Sequence, residues 1–153
     1  MSRRILTGIT TTGIPHIGNY FGAIKPALQL SSEKNVSSYF FLADLHAIIK
    51  QTNPDEIKVS VNEVALAWLS SGLDPEKSFF YRQSNIPEIT ELAWILSCVT
   101  AKGLINRSHA YKAAVQLNHD HTKDEDKGIS MGLFSYPVLI CLLYTSDAAD
   151  EHS

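Results

Sequence analysis

Cysteine, long apolar runs and excess positive charge are all scarce in this sequence, and each shortage excludes a class of protein. Two cysteines in 153 residues, Cys98 and Cys141, are too few for a disulfide-stapled secreted domain and fit a reducing cytosol. No apolar run approaches the roughly 20 residues that cross a membrane, and no signal-peptide core follows the basic start. The net charge is −3, so bulk attraction to nucleic acid is not expected. We therefore predict a cytoplasmic protein that makes no use of a membrane.

What the sequence does contain is a regular alternation of strand-like and helix-like apolar patterns. Short apolar runs bounded by turn residues predict buried strands at Ile5–Ile9, Ser38–Leu45 and Ser78–Arg82. Each run is followed by a helical apolar period long enough to serve as a crossover connection. That order implies parallel strands with right-handed connections. We predict an α/β fold built on a parallel, doubly wound sheet.

The first two helical segments carry clear boundary signals. The first begins near His16, and Pro26 inside it is expected to cause a kink or a late helix start because proline lacks a backbone N–H. The second begins at Thr52–Glu56, which offers a capping side chain, a proline in the first turn and acids near the positive helix end. It ends at Gly72. The buried face predicted for this helix is Ile57, Val61, Val64, Ala65, Trp68 and Leu69.

The remainder of the chain is predicted as a third helix, a polar loop and a final apolar stretch. The helix starts at Pro87 and is closed by Gly103, with Cys98 expected in the core. Gln116–Gly128 reads as a charge-rich loop, and apolar character returns over Ile129–Ile140. The apolar face predicted for the third helix is Ile89, Leu92, Ala93 and Leu96.

The loop after the first strand has the features of a phosphate-binding turn. It contains neither the G-x-G-x-x-G spacing of dinucleotide folds nor a G-x-x-x-x-G-K-[ST] phosphate loop. Instead, Gly13 is followed by His16-Ile17-Gly18-Asn19 at a predicted helix N-terminus, where outward N–H groups and the helix dipole favour an anion. We expect His16 to donate to a phosphate oxygen and Gly18 to let the backbone lie against a ligand ring. The alternative is an ordinary turn with a surface histidine.

The His-Ile-Gly-Asn tetrad behind G-x-x-x-x-G resembles the HIGH signature of the class I aminoacyl-tRNA synthetases. An ordered series of further segments resembles the bacterial tryptophanyl-tRNA synthetases of that class, over residues 2–140. The segments are Gly8–Gly13, Gly18–Ala23, Ala43–Ala47, Gly72–Pro75, Gln83–Ser84, Leu104–Ser108 and Gly132–Leu139. Each is weak alone, whereas the ordered series is specific. The resemblance implies the first half of a Rossmann-like, HIGH-type nucleotide-binding sheet.

This resemblance implies a tryptophan–tRNA ligase, which joins tryptophan to ATP and transfers it from the adenylate to tRNA(Trp). The substrate carboxylate attacks the α-phosphate, so the protein supplies positioning and charge stabilisation and no nucleophile. The expected cofactors are ATP and the Mg²⁺ that accompanies it, with no metal-ligating residues in this chain. The full-length enzyme is expected to be a homodimer. The resemblance assigns ATP binding to Thr10, Thr11, Thr12, His16, Gly18 and Asn19, with His16 and Asn19 in the catalytic role.

The resemblance also implies two tryptophan-binding residues, His46 and Tyr136. His46 follows the second strand at its carboxyl end, where ligands of α/β folds bind, together with Asp44. The alternative is a charged strand exit with a capping aspartate. Tyr136 matches a residue at the amino end of the substrate, and the alternative is a core aromatic before Pro137.

Two further polar features have a weaker link to function. Arg107 matches a segment near the family's dimer interface and active-site rim, and a solvated helix-end arginine is equally consistent. The cluster His119-Asp120-His121 lies in a charged loop, where histidines two residues apart are usually solvated, so no metal site is predicted.

The resemblance stops near Ile140, which divides the sequence into a matched part, 1–140, and an unmatched tail, 141–153. Leu143 stands where the family has the aspartate that accepts the indole N–H, and the lysine-rich KMSKS loop is absent. The tail is interpreted as foreign or disordered sequence. The chain is therefore expected to be a truncated fragment without full activity. The alternatives are an inactive ATP-binding fragment, a tyrosine-specific synthetase and another HIGH-type nucleotidyltransferase, such as a pantetheine or cytidylyl transferase.

Overall fold

The computed structural model describes residues 3–148, and of residues 141–148 it describes the backbone alone. The chain divides between Ile86 and Pro87 into two compact units. The predicted tail, 141–153, falls on the end of the second unit. Its backbone is helical as far as Ala148, and residues 149–153 lie outside the described part of the chain.

The first unit is built on a three-stranded parallel sheet in the order β1-β2-β3. The strands are β1 (Arg3–Thr10), β2 (Val36–Ala43) and β3 (Phe79–Arg82), and Thr10 pairs with Ala43 at the carboxyl end. The predicted α/β class with parallel strands is confirmed. The strands advance in one direction only, and no strand on the other side of β1 occurs among residues 3–148. A doubly wound sheet would continue there, so the described sheet is one half of such a fold.

Helical segments connect these strands. Between β1 and β2 lie α1 (Ile17–Asn19), a π-helical turn (Tyr20–Ile24) and α2 (Lys25–Ser31), which follow one another without a break. Between β2 and β3 lie α3 (Asp44–Ala47) and α4 (Pro54–Ser70), and a 3-10 turn (Gln83–Asn85) follows β3.

The predicted start and stop of α4 are confirmed. The Asn53 side chain accepts a hydrogen bond from Asp55 N–H over 3.0 Å, with Pro54 in the first turn. Gly72 follows the helix with φ of 102°, a left-handed conformation that favours glycine. Local sequence signals therefore suffice to define this helix.

The principal core lies between one face of the sheet and the helices α2 and α4. Trp68, wholly buried, stacks on Phe40 of β2 with ring centroids 4.8 Å apart. The buried residues of this core are Ile5, Ile9, Ile24, Ala27, Phe40, Leu42, Val61, Val64, Trp68 and Leu73. The predicted face of α4 is confirmed except at Leu69, which is 43% exposed because it lies past the edge of the apolar stripe.

The opposite face of the sheet is aromatic. Phe41 stacks on Tyr81 and Tyr39 stacks on Phe79, with centroid separations of 6.0 and 4.7 Å. The Phe41 ring lies over Gly8 of β1, where an added Cβ would come within 2.2 Å of the ring. Gly8 therefore leaves the space that this ring fills.

One prediction for the first unit needs correction. Leu45 was placed in the second strand, but β2 ends at Ala43 and Leu45 lies in α3, where its N–H is capped by Asp44. At Pro26, of the two predicted outcomes the structure has the late helix start, since Pro26 stands in the first turn of α2, where a missing N–H is tolerated. The irregularity lies just before it, where Lys25 N–H donates to Tyr20 C=O in the π-helical turn.

The second unit is helical and is organised around its last helix. Its elements are α5 (Pro87–Val99), α6 (Lys102–Ile105), α7 (His109–Asp120) and α8 (Met131–Ala148), and α5, α6 and α7 each contact α8. Pro137 lies inside α8. Among residues 3–148, no helix combines the length and apolar character that crossing a bilayer requires.

Several predictions for the second unit are wrong in detail. The third helix ends at Val99, and Gly103 lies inside the separate helix α6. Cys98, predicted in the core, is exposed, and so is Leu92. More of the α5 surface is exposed than its apolar sequence indicates.

The predicted loop Gln116–Gly128 is also helical at its beginning, since α7 continues to Asp120. The rest of it folds back on that helix. The Asn118 side chain donates to the carbonyls of Glu125 and Lys127, both over 2.9 Å. These two hydrogen bonds hold the loop against α7. The apolar pattern of the sequence does not reveal a polar contact of this kind.

Candidate functional site

The loop that follows β1 is held in place by a contact with α4. Thr12 N–H donates to Thr10 C=O over 3.0 Å, which tightens the chain as it leaves the strand. Gly13 then adopts φ of 80°, and its N–H donates to the Ser60 hydroxyl over 3.0 Å. Thr10 and Thr12 are exposed, whereas the Thr11 side chain is wholly buried and its hydroxyl has no partner among the described residues. The loop therefore presents Thr10 and Thr12 outward.

His16 and Asn19 cap the helix start by reciprocal hydrogen bonds. Gly18 N–H donates to His16 Nδ1 over 3.1 Å, and His16 N–H donates to Asn19 Oδ1 over 2.9 Å. This is the capping-box arrangement, with histidine in place of the usual serine or threonine. Because Nδ1 accepts, the proton of the neutral imidazole must lie on Nε2. The exposed ring thus presents an N–H donor at the helix N-terminus.

The expectation that free backbone N–H groups would face an anion at this helix start is wrong for Gly18 and its neighbours. Gly18 N–H donates to the His16 ring, and the N–H groups of Asn19 and Tyr20 both donate to His16 C=O. The imidazole therefore replaces these amides as the group that can donate outward. Gly18 is required for this, since a Cβ there would lie 2.9 Å from His16 Cε1.

At the carboxyl end of β2, Asp44 joins two neighbouring strands. Its carboxylate is buried and accepts hydrogen bonds from Ser84 N–H over 2.9 Å and from the Ser84 hydroxyl. It also accepts from Leu45 N–H over 3.0 Å. Asp44 is the first residue of α3, and the cap position before it is Ala43. The carboxylate therefore links the start of α3 to Ser84, after β3.

His46 lies one turn further on and contacts a residue that the sequence interpretation did not assign to the site. Its Nδ1 lies 2.9 Å from Oε1 of Gln83, whose side chain is wholly buried. His46 Nε2 and Gln83 Nε2 are both buried and have no partner within the described part of the chain. A signal for Gln83 was present in the sequence, because a polar pair directly after the third strand falls at the same edge of the sheet as His46.

Tyr136 and Arg107, the remaining predicted residues, lie in the second unit. Tyr136 is half-buried on α8, and Arg107 is exposed after α6. His119 lines a cavity of about 400 Å³ together with Asn106, Lys112 and Glu125. Within residues 3–140, whose side chains the structure describes, no three metal-binding side chains come together.

Comparison with known proteins identifies the family to which this chain is similar. The family model described as tRNA synthetases class I (W and Y) matches residues 2–147. A tryptophan–tRNA ligase of Pseudomonas putida is 60% identical over 140 residues, which cover 92% of this chain and 31% of that protein.

Comparison with solved structures points to the same family. The tryptophanyl-tRNA synthetase of Campylobacter jejuni superposes with a TM-score of 0.77 at 39% identity, covering 92% of this chain and 41% of that one. A second structure from that organism, complexed with ADP and tryptophan, gives a TM-score of 0.74 at 42% identity over 90% of this chain and 40% of that one. The chain spans about a third of the length of the curated relatives it matches. The chain belongs to the class I tRNA synthetases of the tryptophan and tyrosine group.

Proposed function

We propose that this chain carries the ATP-binding part of a tryptophan–tRNA ligase. The observation that carries the proposal is the His16–Asn19 capping box, which fixes an exposed imidazole at a helix N-terminus with its proton on Nε2. A phosphate oxygen is the acceptor that such a donor, beside the positive end of a helix, suits best. The relatives that match over nearly the whole chain carry the name of this activity.

The proposed reaction needs no protein nucleophile. A carboxylate oxygen of tryptophan attacks the α-phosphorus of ATP, a new P–O bond forms, and the bond to the leaving pyrophosphate breaks. His16 Nε2–H would donate to a phosphate oxygen, with the Thr10 and Thr12 hydroxyls beside it, and Gly18 and Asn19 would hold the ring in place. In the second step a ribose hydroxyl of tRNA(Trp) attacks the carbonyl carbon of the adenylate, an ester bond to the ribose forms, and AMP leaves as the acyl–phosphate bond breaks and the hydroxyl proton is released. Such catalysis acts by positioning and by stabilising charge.

The buried Thr11 has a different place in the proposal. Its hydroxyl faces the interior, so Thr11 would contribute to the loop through its backbone and not through a side-chain contact with phosphate. Mg²⁺ would arrive bound to the ATP phosphates, because the donor set of the loop is hydroxyl and imidazole and includes no carboxylate.

For the amino acid, we propose His46 and Tyr136 as the contacting residues. His46 supports this role because its Nε2 is buried and has no partner in the described part of the chain, so a bound ligand could supply the missing hydrogen bond. tRNA(Trp), a second copy of the full-length protein and a cytoplasmic location complete the proposal for the whole enzyme.

A second candidate is an ATP-binding chain without ligase activity. It is favoured by Leu143, which stands at the position of the expected aspartate. A tyrosine-specific synthetase and another HIGH-type nucleotidyltransferase remain the further alternatives. They would use the same loop with a different second substrate.

Two measurements on the 153-residue protein test these proposals. Titration with ATP, followed by two-dimensional NMR, should move the amide signals of residues 10–19 and the His16 ring signals. The ring signals of His109, an exposed histidine in the second unit, should stay unchanged. The second measurement is tryptophan-dependent exchange of pyrophosphate into ATP, which we expect to be absent from this chain. Signals that move elsewhere, or a folded protein that does not respond to ATP, would contradict the proposed site.

A further inference from the structure

Three strand ends of the first unit carry buried polar atoms that have no partner among the described residues. Thr11 follows β1, His46 follows β2 and Gln83 follows β3, and all three lie at the carboxyl edge of the parallel sheet. The unpartnered atoms are Thr11 Oγ1, His46 Nε2 and Gln83 Nε2. Burying such a group without a hydrogen bond costs about 1–3 kcal/mol, so a concentration of them at one edge marks a place for a ligand.

The hydrogen bond between His46 and Gln83 determines what that place can accept. Gln83 Oε1 can only accept, so His46 Nδ1 must donate, and the proton of the neutral ring lies on Nδ1. His46 Nε2 is then left as an acceptor. This is the reverse of His16, in which Nδ1 accepts and Nε2 carries the proton.

Gln83 is held in a fixed position, so it determines which ring nitrogen of His46 carries the proton. Its side chain is wholly buried, and the next residue, Ser84, is tied to Asp44 through both its N–H and its hydroxyl. Asp44 stands two residues before His46 at the start of α3. The two residues that form the pair are therefore fixed relative to each other by a second contact between the same two strand ends.

We infer that Gln83 is a positioning residue, which holds His46 with Nε2 as a hydrogen-bond acceptor for an N–H group of the amino-acid substrate. This role rests on the proposed function. It adds to that function the residue that determines whether His46 offers tryptophan a hydrogen-bond acceptor or a donor. The ammonium group and the indole N–H are the two donors that tryptophan offers. The Gln83 Nε2 amide, which has no partner among the described residues, adds a buried donor at the same edge of the sheet, which suits a ligand that also carries oxygen.

The test combines a spectroscopic signature with a binding measurement on the 153-residue chain. Long-range ¹H–¹⁵N spectra, recorded about two pH units above the ordinary histidine pKa, distinguish the protonated from the unprotonated ring nitrogen. We expect the proton on Nδ1 of His46 in the wild type and in Gln83→Glu, which keeps an acceptor. In Gln83→Met, which has no such acceptor, we expect that preference to be lost. Gln29→Met, an exposed glutamine on α2, is the matched control and should leave the His46 signals unchanged.

Tryptophan affinity, measured by calorimetry, is the second readout. We expect Gln83→Met to weaken it by about 5- to 100-fold, as expected for a buried hydrogen bond that loses its geometry, with Gln29→Met unchanged. A proton on Nε2 in the wild type, an unchanged tautomer in Gln83→Met, or undiminished tryptophan affinity in that variant would each overturn the inference. If no variant binds tryptophan while the nitrogen signals behave as expected, the proposed function fails and the ligand role of Gln83 fails with it. The tautomer assignment would still stand, so the two failures are distinguishable.

Discussion

His16 and His46 show how one residue type takes opposite chemical roles through its neighbours. In His16, a backbone amide occupies Nδ1 and leaves Nε2 as a donor. In His46, the Gln83 carbonyl occupies Nδ1 and leaves Nε2 as an acceptor. The sequence indicated both histidines, His16 by its place at a predicted helix start and His46 by its place just after the second strand. It did not indicate their tautomers, which depend on a partner two residues away in one case and 37 residues away in the other.

Gly18→Ala should disturb the His16 ring without unfolding the protein. The added Cβ would lie within 3.0 Å of His16 Nδ1 and 2.9 Å of Cε1, so the ring must rotate away and lose its hydrogen bond. We expect ATP affinity to fall by about tenfold, the equivalent of one displaced hydrogen bond. Gly22→Ala is the matched control, because a Cβ at Gly22 meets nothing within 4 Å. Equal ATP affinity in the two variants would contradict the ring's role.

At the scale of elements, the parallel sheet depends on a glycine and an aromatic ring that face each other across β1 and β2. Apolar runs predicted both strands, and their alternation with helices predicted the parallel order. The place of Gly8 under the Phe41 ring could not be predicted, because it follows from the register that pairs Gly8 with Phe41. The end of β2 was misplaced for a similar reason. Leu45 is apolar, but α3 begins at Asp44, whose carboxylate accepts from the Leu45 N–H and from Ser84.

Gly8→Ala should destabilise the first unit. Its Cβ would come within 2.2 Å of the Phe41 ring, which is buried and packed against Tyr81, so the ring cannot move aside freely. Overpacking of this kind costs about 1–3 kcal/mol, measured as the free energy of unfolding in urea. Gly103→Ala, where a Cβ meets nothing within 4 Å, should leave that free energy nearly unchanged. A stability for Gly8→Ala equal to the wild type would show that the ring is not fixed over β1.

The aromatic face of the sheet also predicts a dependence on alkaline pH. Burial, with a smaller contribution from Tyr39, raises the pKa of Tyr81 above the ordinary tyrosine value of 10.0. The folded state therefore holds the proton more tightly than the unfolded state, so the stability due to Tyr81 is intact below pH 10.0 and is lost as the pH rises. Tyr81→Phe should lose less stability than the wild type on this rise. Urea unfolding at each pH measures this, and an equal loss of unfolding free energy in the two proteins as the pH rises would contradict it.

For the whole molecule, the sequence predicted the class of fold and the first unit far better than the second. Strand and helix signals of the first unit are local, as in the Asn53 cap and the Gly72 stop of α4. In the second unit, the polar residues 121–128 are folded back by the Asn118 side chain, and α5 exposes Cys98 despite its apolar neighbours. Gln83 was missed as a site residue because its importance comes from contact with His46, which lies on a different strand end.

The central claim, that the loop after β1 binds ATP through the His16 imidazole, is tested most directly by the ATP affinity of His16→Asn. Asparagine is among the best N-cap residues, so this variant keeps the helix start while it removes the Nε2 donor. We predict that ATP binding weakens by about 10- to 100-fold, as expected for loss of a hydrogen bond to a charged group, while the urea unfolding curve stays unchanged. An ATP affinity equal to that of the wild type, in a protein that remains folded, would contradict the account.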